Sequence, residues 1–162
     1  MRQRAHPAIF KDRPGPCQLF ATDVDAEAIN WCKVNATDPP LGFEGDFFDL
    51  VLAISVFTHL PESMEQLWLA ELLRVAKPGA ILLLSIHGNR SFRNVPANSC
   101  EELAALGFCY AYCGSTAGLP EYYQTSFHSE EYVLRRWAAF FHIRRIVAIG
   151  HQDVVVCEKR IT

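Results

Sequence analysis

Apolar residues recur along this chain in two spacings, and their alternation predicts the architecture. Phe48 to Ile54 is a mainly apolar run, with Gly45 and Asp46 before it and Ser55 after it. Its length suits a strand, and one buried on both faces as in a parallel sheet. Ser63 then stands where it can cap a helix, with Gln66 three residues on to complete a capping box. Met64, Leu67, Trp68, Leu72 and Val75 fall on one stripe of a 3.6-residue period. Lys77-Pro78-Gly79 ends that helix, because proline cannot continue it and glycine turns freely. Ala80 to Ile86 is a second run of strand length. Strand, helix and strand in this order form a right-handed crossover between parallel strands. Ligands of such sheets bind beyond the carboxyl ends of the strands. Those ends are Ser55-Val56-Phe57-Thr58-His59 and His87-Gly88-Asn89.

The flanking segments are read the same way. Residues 1–17, with three prolines and little periodicity, form an N-terminal arm or the remnant of a helix. Gln18 to Thr22 is a short strand ending at Asp23-Val24-Asp25, and Asp25 can cap a helix to about Val34 with Ile29 and Cys32 inward. Val34 to Phe47 holds two prolines and two glycines, which leaves little for a third strand. After the central unit, Asn89 to Asn98 reads as loop, and Ser99 with Glu102 can box the start of a short helix that Gly107 ends. Phe108 to Cys113 is a strand candidate, and Gly114 to Gln124 is a turn-rich loop. Ser129 can cap a helix to about Phe140, with Tyr132, Val133, Trp137 and Phe140 on one face. Ile143 to Ile149 and Asp153 to Glu158 flank Gly150 at the spacing of an antiparallel hairpin.

The segments FDLVLAISVFTHL, ELLRVAKPG and LLLSIHG, in this order and spacing, resemble the fourth strand, following helix and fifth strand of class I S-adenosylmethionine-dependent methyltransferases. LFATDVDAEAINWC is similar to the same family's second-strand segment. The resemblance implies an α/β, Rossmann-like fold over residues 18–160, with a mostly parallel sheet, helices on both faces and a C-terminal antiparallel hairpin. It implies S-adenosylmethionine as cofactor and methyl transfer as the reaction. A glycine-rich turn belongs roughly 20 residues before the ribose-binding acid, yet the stretch at that distance, MRQRAHP, has no glycine. The expected fold is therefore incomplete at its first strand and glycine-rich loop, and short at its third strand. The late hairpin favours this family over nicotinamide-dependent oxidoreductases, and no G-x-G-x-x-G occurs.

Composition narrows the function classes. A chain of 162 residues, half of them hydrophobic and a fifth charged, reads as one globular domain. A net charge of -3 gives no electrostatic footprint for nucleic acid. No apolar run approaches the roughly 20 residues that span a bilayer, and no signal peptide is evident, so the expected compartment is the cytoplasm. The six cysteines are scattered, and Cys109 and Cys113 lack a second pair that would complete a zinc site. They are expected as free thiols, and no metal site is expected.

By the resemblance, Asp23 bonds the ribose hydroxyls, Val24 lies against the adenine, and Ser55 and Val56 line the cofactor's methionine side. Asn35 and Asp38 are candidates for the adenine edge, or plain turn residues. A proton-bearing acceptor needs a base, and His87 and His59 follow strands that end at the site, with His128 and His151 as further candidates. Tyr122, Tyr123 and His128 belong to the segment expected over a small-molecule acceptor. The alternative function is a non-catalytic, methyltransferase-derived scaffold, whose open sheet edges would favour a homodimer.

Overall fold

The chain divides at residues 38 and 39. The computed structural model describes residues 39–113 and 124–161, all in the second part. Strand β1 (Phe48–Ala53) leads through a short loop to helix α1 (Glu62–Val75), which passes without a break into β2 (Ala76–Ile86). After a 3₁₀ turn at Asn89–Asn94 come α2 (Cys100–Leu106), β3 (Phe108–Ala111), β4 (Thr125–His128) and α3 (Glu130–Arg136). Strands β5 (His142–Ile149) and β6 (Gln152–Glu158) close the chain.

The main sheet has the order β1-β2-β6-β5, and a second sheet pairs β3 with β4. β1 and β2 are parallel neighbours, with Val51 opposite Leu82 and Ala53 opposite Leu84. β6 runs antiparallel to both β2 and β5. Among the described strands β1 and β2 are the parallel pair, and an isolated parallel bridge joins His87 to Phe127 of β4. The predicted hairpin is present, turning at Gly150 with φ 61°.

Three local expectations are corrected. Pro61 is the residue before the first turn of α1, and no side chain caps it, so Ser63 sits inside the helix. Pro61 opens the helix through its backbone instead, its carbonyl accepting the Glu65 N–H at 2.9 Å. Second, Lys77-Pro78-Gly79 belongs to β2. Gly79, at φ +79°, instead lets the strand bend while its N–H reaches Lys159 O at 2.9 Å. Third, β1 is not buried on both faces: Leu50, Leu52 and Ile54 are exposed.

The buried face of α1 holds Glu65, Trp68, Leu69, Glu71, Leu72 and Val75, while Leu67 of the predicted stripe is exposed. Two glutamates outside the predicted stripe lie on this buried face, and both are satisfied. Glu71 accepts the N–H of Leu41 at 2.7 Å and pairs with Arg74. Glu65 is fully buried. One of its oxygens accepts from His128 Nε2 at 2.5 Å, and the other from Tyr132 Oη at 3.0 Å and Trp137 Nε1 at 2.9 Å. Ser129 caps α3 as predicted, its hydroxyl accepting the Tyr132 N–H.

Position of the second sheet follows from two backbone bonds. The N–H of Ser126 donates to Thr58 O and that of His128 to His87 O, both at 2.9 Å. β4 is thereby stitched across the carboxyl ends of β1 and β2.

Replacing Glu65 by Ala strands His128, Tyr132 and Trp137 in the core without their acceptor. It is expected to lower stability by about 3–5 kcal/mol, the usual cost of breaking a buried pair from one side, as read by urea unfolding. A loss below about 1 kcal/mol, the scale of a surface pair, would show that the network is not holding these elements together. Burial also raises the thiols of Cys109 to about 11 and Cys157 to about 12, whereas Cys100 and Cys113 are exposed. Of these four, iodoacetamide at pH 8 should alkylate Cys100 and Cys113 in the folded protein, and Cys109 and Cys157 only after unfolding.

Candidate functional site

The chemistry-bearing residues gather where β1 and β2 end side by side. Ser55 leaves β1 in the left-handed region, at φ 59°. A non-glycine residue there needs support, and it comes from the neighbouring strands: Ser55 N–H donates to Ser85 Oγ at 2.7 Å, and Gln152 Nε2 donates to Ser55 Oγ at 2.9 Å. Gln152 opens β6, so one serine is held by groups on both β2 and β6. Val56 is half-buried, and its carbonyl takes the His59 N–H at 3.0 Å. Phe57, fully buried, packs on Trp137 with centroids 5.1 Å apart and pins the loop to the core.

His59 and His87 come together. Their rings meet edge to face at 6.1 Å. His59 Nδ1 lies 2.7 Å from Gln124 O, and because a carbonyl only accepts, that nitrogen carries the hydrogen. In the neutral ring the basic lone pair is then on Nε2. His87 packs against Phe127 at 5.6 Å. Burial holds its pKa below the ordinary histidine value, with the charges of His59 and His128 adding to the effect and a backbone bond at Ser126 opposing it.

Next to them, Gly88 and Asp153 touch. A Cβ on residue 88 would lie 2.0 Å from Asp153 Oδ2, so only glycine fits. Asp153 pairs with Ile86 across the sheet, is 9% exposed, and has its pKa raised by burial against the opposing charge of Arg90. Buried polar side-chain atoms are normally bonded. Of the five side-chain atoms buried without a partner among the described residues, Thr58 Oγ1, His87 Nδ1 and Asp153 Oδ1 lie at this edge, and the other two are Gln66 Nε2 and His128 Nδ1.

Other predicted residues fall elsewhere. Asp23, Val24, Asp25, Asn35, Asp38, Tyr122 and Tyr123 lie outside the described residues. His128 is fully buried on Glu65, inside the packing and away from any surface an acceptor would meet. His151 is exposed beside the hairpin turn. The described residues contain no group of three or more metal-ligating side chains, and none of their helices is long and apolar enough to cross a membrane. Ser85, Gln152 and Asp153 escaped the sequence reading as site residues, since their part depends on the order in which β2 and β6 pair.

Residues 5–84 match a family model described as a methyltransferase domain, a span that includes Asp23, β1, α1 and most of β2. Among solved structures, the chain resembles a SAM-dependent methyltransferase from Methanosarcina mazei, with a TM-score of 0.61 and 19% identity over 87% of this chain and 81% of that one. It also resembles a protein of Pyrococcus horikoshii, with a TM-score of 0.57 and 13% identity over 86% and 70% of the two chains. No curated protein matches it. At such identities the structural likeness speaks to fold alone, and the family match covers just under half of the chain.

The lowered pKa of His87 fixes the sign of a pH effect. Below the ordinary value of 6.5 the unfolded chain takes up this proton more readily than the folded one. The stability that the neutral ring contributes is therefore full above that value and is lost as pH falls toward and through the folded pKa. Thermal unfolding between pH 7 and 5 should show a steeper loss for the wild type than for His87→Gln. Parallel slopes would show that His87 is as solvated as in the unfolded chain.

Proposed function

We propose that the chain is a class I S-adenosylmethionine-dependent methyltransferase, as the family match over residues 5–84 and the likeness in fold support, and that it moves a methyl group from that cofactor to a small-molecule acceptor bound over the carboxyl ends of β1 and β2. The observation that carries the reading is the meeting of Ser55, His59 and His87 at one edge of two adjacent parallel strands joined by α1. This is the edge at which open α/β sheets bind ligands. Unpartnered buried polar atoms on Thr58, His87 and Asp153 suit it to a polar ligand.

Ser55 and Val56 would meet the methionine part of the cofactor, Asp23 the ribose, Val24 the adenine face and Asn35 the adenine edge. When bound, the cofactor supplies a methyl group already activated by its positive sulfur. What remains for the protein is alignment and, for an acceptor with a proton, removal of that proton. His59 fits the role of base, since Gln124 O orients its ring and places the basic lone pair on Nε2. His87, kept neutral by burial, is the second candidate. Phe127 and the backbone bonds of β4 keep both rings at the edge.

The test is calorimetry with S-adenosylhomocysteine, the demethylated product. Micromolar binding is expected, weakened by about 1–3 kcal/mol in Asp23→Ala, the cost of losing a charged hydrogen-bond partner. Once an acceptor is in hand, His59→Ala should lower kcat by roughly 10²–10⁴-fold, the scale of general base catalysis, and leave product binding unchanged. No heat from a folded sample would rule out the enzyme reading and leave a scaffold derived from the family.

A further inference from the structure

A shallow hollow adjoins this edge, lined by Arg90, Ser91, Arg93, Asn94, Gly150 and His151. Two pieces of chain build it: the 3₁₀ turn Asn89–Asn94, which begins two residues after His87, and the turn between β5 and β6. They are fixed to each other, because Ser91 Oγ donates to His151 O at 3.0 Å. The 3₁₀ turn is also fixed to β2, since Ser91 N–H donates to Gly88 O at 2.8 Å. Ser91 is thereby committed to structure. The side chains left to face a ligand are Arg90, Arg93, Asn94 and His151.

Their chemistry is one-sided. No carboxylate lines the hollow; Asp153, whose carboxyl feels the charge of Arg90, is buried against Gly88. Among the described residues neither Arg90 nor Arg93 forms an ion pair. A 3₁₀ helix has three residues per turn, so side chains at i and i+3 eclipse. Arg90 and Arg93 therefore leave the same side of the turn as two like charges, an arrangement that is unfavourable unless an anion lies between them. Guanidinium forks match the oxygens of phosphate and carboxylate two at a time.

We propose that this hollow binds an oxyanion, a phosphate or carboxylate, carried by the methyl acceptor. The assignment to the acceptor rests on the methyl-transfer reading above, and it makes the substrate class acidic. Placement supports it: Arg90 stands three residues past His87, and His151 precedes the Gln152 that holds Ser55. An acceptor lying over the two histidines would reach the hollow with its far end.

The first arm titrates the protein with inorganic phosphate and follows backbone amide shifts of residues 90–94 and 150–152. Saturable binding in the millimolar range is expected. It should weaken at least about ten-fold in the double variant Arg90→Ala/Arg93→Ala, as charge-assisted bonds are lost, and survive in part in Arg90→Lys/Arg93→Lys. Both arginines are exposed, so the variants should fold, and their unchanged binding of S-adenosylhomocysteine checks this. The second arm compares acceptors that carry a free phosphate or carboxylate with their neutral esters. The preference for the charged member should vanish in the double Ala variant through a raised KM at nearly constant kcat. Equal phosphate affinity in wild type and double Ala variant, or none in either, would overturn the site. Phosphate binding with no such acceptor preference would overturn the acceptor assignment and leave a site for free anions. Phosphate binding without S-adenosylhomocysteine binding would overturn the methyl-transfer reading, and with it the acceptor, while the anion site stood.

Discussion

The described structure depends on one buried carboxylate. Glu65 brings a formal charge into the core on α1, and a charge there is tolerable only where bonds replace its water. Three donors do so, from His128 on β4, Tyr132 on α3 and Trp137 just after α3. None of these donors is close in sequence to α1, so the carboxylate converts a desolvation cost into a positional constraint. Tyr132 is part of the constraint: burial, with Glu65 and Glu62 beside it, pushes its phenol far above the ordinary value and keeps it a donor.

That constraint reaches the candidate site through β4. His128 is both a partner of Glu65 and the residue whose backbone N–H bonds His87 O, and two residues earlier Ser126 bonds the carbonyl of Thr58. The side chain of Ser126 also donates to Leu60 O at 2.5 Å. A four-residue strand in a two-stranded sheet would hold its place poorly by itself. Anchored on Glu65, it clamps the loops after β1 and β2 and so sets where His59 and His87 stand. A mutation in the Glu65 network would thus act on the site at a distance, by loosening the clamp.

How much of this was legible in the sequence depended on the range of the interaction. The β1-α1-β2 unit and the final hairpin could be read because each is written in local periodicity and turn residues. Ser129 as a cap was legible for the same reason, since its partner is three residues away. Glu65 was hidden, because a pattern of apolar positions has no means of marking a glutamate whose donors lie 63 to 72 residues on. The exposed face of β1 was missed in a related way: an apolar run is the same string whether one or both of its faces are covered. At the site, His59 and His87 could be chosen from their places after two strands. Gln152 and Asp153 could not, because their nearness to Ser55 and Gly88 arises only once β6 pairs with β2.

The distribution of unsatisfied groups at the carboxyl edge has a mechanistic sense. A protein that mainly aligns two reactants gains most from polar atoms fixed before the ligand arrives, since groups that must first reorganise contribute less to the reacting geometry. Ser55 in a left-handed conformation, Gly88 pressed on Asp153, and the two histidines, edge to face with each other and with His87 packed on Phe127, are all fixed by backbone or packing. The cost of holding them is met by cores on either side, the Phe57–Trp137 contact beneath β1 and the cluster of Leu103, Cys109 and Phe127 beside β4. With rigidity supplied from below, the edge can vary its upper rim without disturbing the sheet. The 3₁₀ turn carrying Arg90 and Arg93 belongs to that rim, and on the acceptor reading proposed above a change in the acceptor's charge would call for substitution there before any change in β1 or β2.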